Sequence, residues 1–239
     1  YNAPVLDVIL GRLPWTLLLV DLSLVLSTGI GIALGIESGW RRGSRTDKAL
    51  LSGMMSLNGF PDFFIGMVLL LVFGVTLGLL PISGVMTPYS GLSGGALLWD
   101  VFRHLILPLT ALTLTHVASG YLLTRNTMIG ALKEPYMLTA RAKGVRPHVL
   151  KYRHAGRNSM LPVITMTGVW LGRVMTGTIF IEIIFSYPGL GYLMYESLML
   201  RDYAIIQGVM LLVTTVVLAV NFLIDLSYIR LDPRVEYAR

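Results

Sequence analysis

Long apolar stretches alternate with short polar ones along this chain, and five of the apolar stretches are long enough to cross a lipid bilayer. A membrane-spanning α-helix needs about twenty mostly apolar residues. The predicted spans are residues 13–36, 63–80, 104–124, 161–185 and 203–229. We therefore predict an all-α integral membrane protein, with one transmembrane domain that covers residues 1–239.

Composition supports a membrane protein. Of the 239 residues, 54% are hydrophobic and 13% are charged, and the mean hydropathy is +0.71. A soluble domain carries about 25% charged residues. The chain has no cysteine, which excludes disulfides and thiolate metal sites.

Polar and turn-forming residues interrupt the apolar pattern at three further places. Residues 58–62 (Asn-Gly-Phe-Pro-Asp) break an apolar region that runs from 49 to 80, so we expect an interfacial or kinked segment there. Residues 81–100 are rich in glycine and lack Lys and Arg, which is typical of an external loop. Residues 186–191 predict a turn, followed by a short external segment over 192–200.

Small residues recur in the first predicted span. They are Gly29, Gly31, Ala33 and Gly35. Small side chains allow membrane helices to approach closely, so this stripe predicts a helix-packing face.

The positions of the basic residues predict the orientation. Fifteen of the 19 Lys and Arg residues fall on one side of the predicted spans, in residues 41–48, 125–157 and 230–239. Cytoplasmic loops carry the excess of Lys and Arg, so the segment between spans three and four and the C-terminus are predicted to be cytoplasmic. Five spans then place residue 1 outside.

A polar segment, residues 133–160, separates the third and fourth spans and carries seven Lys and Arg against one acid, Glu134. Pro135 suits the first turn of a helix that Gly144 would end. Pro147 would open a second short helix, which should stop before Leu161 and Pro162. The segment is either a docking site for a soluble partner or simply a basic loop that obeys the positive-inside rule.

Residues Thr139–Gly144, followed by Leu161 and Pro162, resemble the "EAA" loop of the permease subunits of binding-protein-dependent ABC importers. In that family the loop forms a coupling helix that docks on a cytoplasmic ATPase. Here Leu138 replaces the acid, and sixteen residues separate Gly144 from Leu161, five more than in the general form. Both features resemble those of the peptide/nickel branch of this importer family. The resemblance assigns ATPase coupling to Thr139, Ala140, Arg141, Ala142, Lys143, Gly144, Val145 and Pro147.

The resemblance covers most of the chain. Residues 60–66 with 79–81, residues 182–191 and residues 201–203 match further family stretches, and the ending, residues 232–234, resembles the B-type subunit of dipeptide and oligopeptide permeases. It implies the five-helix core of a type I importer. B-type subunits usually begin with one more helix and a large external region. Because the chain starts at Tyr1 without Met, we expect an N-terminally truncated sequence.

The same resemblance implies function and partners. We expect a permease subunit that moves peptides across a bacterial or archaeal cytoplasmic membrane by alternating access; nickel or metal-chelate import is the alternative within the branch. The implied partners are a paralogous C-type permease subunit, two ABC ATPases that bind ATP and Mg²⁺, and an extracytoplasmic solute-binding protein. No cofactor is expected in this chain. Pairing with a second copy instead of a paralogue stays open.

External docking of the binding protein is expected on residues near the 186–191 turn. They are Glu182, Ser186, Pro188, Gly189, Gly191, Arg201 and Asp202. Glu182 falls at the outer interface, where a capping or contact role is favoured over substrate binding.

Ionisable residues inside a bilayer are functional candidates by default. Asp21 and Arg173 both lie about 12 Å from the outer edge of their spans, at 1.5 Å per residue. They either pair structurally or face the translocation path. His116 is mid-span, where a packing role is favoured over a proton or metal site. The histidines lack the spacing of a metal site, so no metal is predicted.

Catalytic motifs are absent from the sequence. It lacks the Gly-x-x-x-x-Gly-Lys-Ser/Thr phosphate loop, so ATP hydrolysis is expected in partner chains and this chain is predicted not to be an enzyme. Two other classes remain as alternatives. An ion-driven transporter should show inverted repeats and broken helices with acidic residues near the middle of the membrane. A membrane enzyme should show a set of catalytic residues.

Overall fold

A computed structural model describes residues 3–231; the side chains of residues 161, 164, 165, 167, 168, 171–177, 223–225 and 227–231 fall outside that description. The described chain contains helices and no strand. In order they are α1 (Val5–Trp40), α2 (Arg45–Asn58), α3 (Asp62–Leu69), α4 (Gly95–Ala131), α5 (Pro135–Ala142), α6 (Pro147–Val149), α7 (Arg157–Ile184), α8 (Leu190–Leu200) and α9 (Tyr203–Leu231). Two π-helical segments, Leu70–Thr76 and Leu150–Gly156, follow α3 and α6.

Three stretches of helix within the described residues are long and apolar enough to cross a membrane. They are Val5–Trp40, Gly95–Ala131 and Tyr203–Phe222, and each overlaps a predicted span. A fourth membrane-length stretch results if α2, α3 and the π-helical segment after α3 together form one interrupted span. The all-α membrane class is therefore confirmed, while the count of five spans stays a prediction.

The predicted interruption at residues 58–62 is confirmed, because α2 ends at Asn58 and α3 begins at Asp62. The predicted end of that span near residue 80 stays a prediction, but the helix itself ends earlier. The π-helical segment ends at Thr76, and Gly78 takes a left-handed conformation (φ +62°). The backbone N–H groups of Leu79 and Leu80 both donate to the Phe73 carbonyl, so the chain turns back before Pro81. The loop that follows is also shorter than predicted, since α4 begins at Gly95.

The predicted stop before Leu161 and Pro162 is wrong. The chain stays helical from Pro147 through the π-helical segment and into α7, where Pro162 is the sixth residue. A proline removes one backbone hydrogen bond and clashes with the preceding turn. Membrane helices tolerate this defect when local π adjustment and neighbouring groups satisfy the freed carbonyl.

The chain divides into two compact units. The first comprises Tyr1–Ser23, Asp62–Leu112 and Gly168–Arg239; the second comprises Leu24–Pro61 and Thr113–Thr167. In the first unit, apolar side chains of α1, α8 and α9 form a buried cluster of Ile9, Leu190, Leu193, Ile205 and Val209. This cluster fixes α8 against two long helices.

In the second unit, glycines set the packing of α1 on α4. A Cβ at Gly31 would lie 2.9 Å from the Tyr121 backbone nitrogen, and one at Gly35 would lie 2.5 Å from the Thr124 Cβ. A Cβ at Gly39 would lie 2.8 Å from the Met128 Cβ. The predicted packing face is therefore confirmed at Gly31 and Gly35, whereas Gly29 has open space around it. The contacts follow the i, i+4, i+8 rows of one helix face.

Candidate functional site

Helix α5 begins and ends where its sequence predicts. Pro135 occupies the first turn, where its missing N–H removes no hydrogen bond. At the other end Gly144 is left-handed (φ +72°), its N–H donates to the Arg141 carbonyl, and the Val145 N–H donates to the Ala140 carbonyl. This pair of bonds is a Schellman motif, which closes a helix on a left-handed glycine.

One side of α5 is anchored in the second unit. Met137 and Ala140 are buried in a cluster with Ile36 of α1, Met128 of α4, and Leu150 and Ala155 of the π-helical segment. The opposite side is open. Its exposed residues are Leu138, Thr139, Arg141, Ala142, Lys143 and Gly144, with Pro147 exposed and Val145 half-buried beyond them.

An ion pair joins the end of α1 that is predicted to be cytoplasmic to the π-helical segment after α6. The Lys151 ammonium binds the Glu37 carboxylate, which also accepts from Arg41 at 2.7 Å. Burial acts to lower the pKa of Lys151, but its hydrogen bonds to Glu37 and Tyr152 and the attraction of their charges together outweigh burial, so the pKa of Lys151 lies above its usual value. The polar segment is therefore attached to α1 by charge as well as by apolar packing.

Asp47, near the start of α2, is the centre of a second buried network. Arg125 of α4 binds its carboxylate with both Nε and Nη2, at 2.7 and 2.8 Å. Ser38 Oγ and the Gly43 N–H also donate to it. These hydrogen bonds, with those from Arg125 the strongest, hold the pKa of the Asp47 carboxyl well below its usual range despite burial.

Two of the predicted translocation-path residues have described side chains, Asp21 in the first unit and His116 in the second. Asp21 is exposed on α1, and His116 is half-buried on α4 beside the buried Thr113 and Thr115. The Arg173 side chain lies outside the described residues, so its pairing with Asp21 stays a prediction.

The residues predicted for binding-protein docking lie in the first unit and differ in exposure. Glu182 is fully buried, where its carboxylate accepts hydrogen bonds from the backbone N–H groups of Gly191 and Tyr192. Gly189 and Gly191 are buried beside it, and Pro188 and Asp202 are half-buried. Ser186 and Arg201 are exposed in left-handed conformations, with φ of 45° and 57°. Glu182 thus caps a helix, as its interfacial position suggested.

The loop before α4 joins the same region of the first unit. The Gly84 N–H donates to the Phe185 carbonyl at 2.8 Å, which ties the loop to the end of α7. Farther along, the Thr87 N–H donates to the Asp100 carboxylate of α4 at 2.6 Å. The loop predicted to be external is therefore bonded to the last residue of the predicted fourth span, directly before the turn at residues 186–191.

Sequence reasoning missed several residues that hold these sites. Glu37, Asp47 and Lys151 were counted only as charges, and Thr16, which bonds Glu182, was not singled out. Ser44 and Asp47 offered one signal, because Ser-x-x-acid marks a helix start, and Ser44 does accept from the Asp47 N–H. Thr16 and Lys151 lie far in sequence from their partners, and no local pattern marks them.

Similarity to known proteins agrees with the structure. The family model for binding-protein-dependent transport system inner membrane components matches residues 28–237. A probable peptide ABC transporter permease of Sinorhizobium fredii is 35% identical over 236 residues, which cover 99% of this chain and 74% of that protein. An oligopeptide transport system permease of Bacillus subtilis is 36% identical over 99% of this chain and 73% of its own length. A dipeptide transport system permease of Escherichia coli is 34% identical over 99% of this chain and 75% of its own length. The chain belongs to the family of inner membrane components of binding-protein-dependent transport systems.

Proposed function

We propose that this chain is the permease subunit of an ATP-driven peptide importer, and that α5 is the helix on which a cytoplasmic ATPase subunit docks. The observation that carries the proposal is the two-sided character of α5. Met137 and Ala140 anchor the helix in a buried cluster, while Leu138, Arg141 and Lys143 face outward.

The contacts of α5 suggest how force would pass into the membrane helices. Met137 and Ala140 pack with side chains of α1 and α4, and Lys151 adds an ion pair to Glu37 of α1. When the ATPases close on ATP, α5 would move together with the ends of these helices. Because close-packed interiors transmit displacement, the result is alternation between inward and outward access.

Peptides are the proposed substrate because the similar proteins include permeases named for peptides, dipeptides and oligopeptides. No contact among the described residues favours nickel. The proposed partners are a paralogous permease subunit, two ATPase subunits that bind ATP and Mg²⁺, and a solute-binding protein. The orientation, with α5 and the C-terminus in the cytoplasm, follows from the distribution of Lys and Arg.

Cysteine cross-linking tests the proposal directly, since the chain has no cysteine of its own. Arg141→Cys or Lys143→Cys, co-expressed with ATPase subunits that carry single cysteines on their surface, should form disulfides whose yield changes with ATP. Tyr89→Cys is the matched control, because Tyr89 is fully exposed on the predicted external side and should give none. If neither α5 position cross-links in a membrane-inserted complex, α5 is not the docking helix.

A further inference from the structure

Helix α2 is attached to the second unit mainly through one buried side chain. All 14 residues of α2 belong to the described part of the chain, and Asp47 is the one among them that is buried. The others are exposed or half-buried. At the far end of the helix, Ser119 Oγ of α4 donates to Asn58 Oδ1 at 3.2 Å, in an exposed position. Asp47 is therefore the principal polar attachment of α2.

The Asp47 carboxylate binds α4 and α1 at the same time. Arg125 of α4 donates to both of its oxygens, at 2.7 and 2.8 Å. Ser38, near the end of α1, donates to the same carboxylate, and the Tyr121 hydroxyl of α4 lies 2.6 Å from Ser38 Oγ. Ser38 and Tyr121 are both fully buried. Three helices thus meet at one carboxylate.

This meeting point lies beside the surface on which α5 packs. Ile36 of α1 and Met128 of α4 belong to the buried cluster that anchors α5. Ser38 is two residues from Ile36, and Arg125 is three residues from Met128, which is less than one helical turn in each case. The groups that hold α2 and the groups that hold α5 therefore belong to the same short stretches of α1 and α4.

Three consecutive residues of α1 contact three different parts of the second unit. Ile36 packs in the cluster with α5, Glu37 binds Lys151 of the π-helical segment, and Ser38 binds Asp47 of α2. Successive side chains of a helix point about 100° apart, so one turn can make all three contacts. A displacement of α5 that moves the end of α1 is therefore applied directly to the site that holds α2.

We infer that the Asp47–Arg125 pair is a positioning contact for transport: it makes α2 follow α1 and α4 when an ATPase moves α5, so that ATP hydrolysis is coupled to peptide movement through α2. The inference rests on the proposed function and deepens it. An ion pair with two parallel hydrogen bonds holds one geometry, whereas an apolar contact can slide. In this role Asp47 and Arg125 act through α2, which leads along the chain to α3.

The test uses the complete transporter in liposomes, with its partner permease subunit, both ATPases and peptide-loaded binding protein. The measured quantity is the amount of peptide transported per ATP hydrolysed. Asp47→Asn keeps the shape of the side chain and removes its charge. Leu193→Ala is the control matched for lost stability, because Leu193 is fully buried in the apolar cluster of the first unit and its truncation leaves a cavity there.

Asp47→Asn should lower the peptide transported per ATP by about tenfold, a size typical of coupling between separate sites in a protein. Arg125→Lys keeps the charge but cannot form both parallel bonds, so it should lower the ratio in the same direction and by less. Leu193→Ala should leave the ratio at the wild-type value, because a smaller amount of folded complex lowers uptake and hydrolysis together.

A wild-type ratio in Asp47→Asn, with uptake and hydrolysis reduced in parallel, would show that the pair only stabilises the fold and would overturn the inference. An equal fall of the ratio in Leu193→Ala would overturn it as well, because any loss of stability would then uncouple transport. If Asp47→Asn does not assemble, Arg125→Lys decides, and an unchanged ratio there has the same meaning. A different failure belongs to the proposed function: a wild-type complex that shows no ATP-dependent uptake of peptide.

Discussion

The guanidinium of Arg125 and the carboxylate of Asp47 form a two-pronged ion pair, with Nε–Oδ1 at 2.7 Å and Nη2–Oδ2 at 2.8 Å. It joins α4 to the start of α2, and Asp47 is only 2% exposed. Paired planar contacts of this kind are among the stronger hydrogen bonds in proteins. The turn between α1 and α2 is therefore fixed by a residue 78 positions away along the chain.

Asp47→Asn should lower the free energy of unfolding by about 3 kcal/mol, because it leaves the Arg125 charge without its partner in a largely buried site. Thermal unfolding of the purified protein in detergent measures this. Arg41→Gln is the control, since the Arg41 side chain, which pairs with Glu37, is 59% exposed and such surface pairs contribute about 0.5 kcal/mol. Equal effects of the two substitutions would show that the Asp47 network does not stabilise the fold.

The Asp47 pair also predicts a dependence on pH. Because hydrogen bonds from Arg125 lower the pKa of Asp47 in the folded protein, its stabilisation is fully present above the unfolded pKa of about 3.9. This stabilisation is lost as the pH falls from about 3.9 through the lower pKa that Asp47 has in the folded protein. The difference in unfolding temperature between wild type and Asp47→Asn should stay constant from neutral pH to about pH 5 and shrink in stronger acid. A difference that already shrinks near neutral pH would contradict the lowered pKa.

Gly35→Ala and Gly29→Ala form a matched pair on α1. A Cβ at Gly35 meets the Thr124 Cβ at 2.5 Å, and that atom cannot rotate away, so overpacking should cost about 1–3 kcal/mol. A Cβ at Gly29 meets nothing within 4 Å, and alanine there should be neutral or stabilise the helix by up to about 1 kcal/mol. Thermal unfolding compares the two variants. Similar stabilities would mean that α1 and α4 are farther apart than described.

Met137→Ala and Leu138→Ala separate the anchored face of α5 from the open one. Met137 is fully buried, and its truncation should cost about 3 kcal/mol through the cavity it leaves. Leu138 is 65% exposed, so its truncation should change stability by less than about 0.5 kcal/mol. Co-purification with the ATPase should nonetheless weaken for Leu138→Ala, because its side chain faces the proposed partner. Unchanged co-purification would remove Leu138 from the docking surface.

Local signals predicted much of α5 and of the long helices. Pro135 and Gly144 mark the two ends of α5, because one has no N–H to lose and the other accepts a left-handed conformation. Apolar length alone located α1, α4 and α9. The same reasoning fails at Pro162, where proline predicts a stop but lies inside α7. Whether proline ends a helix depends on what satisfies the carbonyl it frees, and sequence does not reveal those neighbours.

The sequence by itself determined the membrane class, the places where helices break, the basic polar segment and the resemblance to importer permeases, because each is a property of residues close together in the chain. Only the tertiary structure decided which polar residues form the hydrogen bonds and ion pairs that join the helices. Glu182 and Thr16 are 166 positions apart, and Lys151 and Glu37 are 114 apart. A buried carboxylate or ammonium is stable only beside its partner, and that partner is supplied by helix packing and not by sequence neighbours.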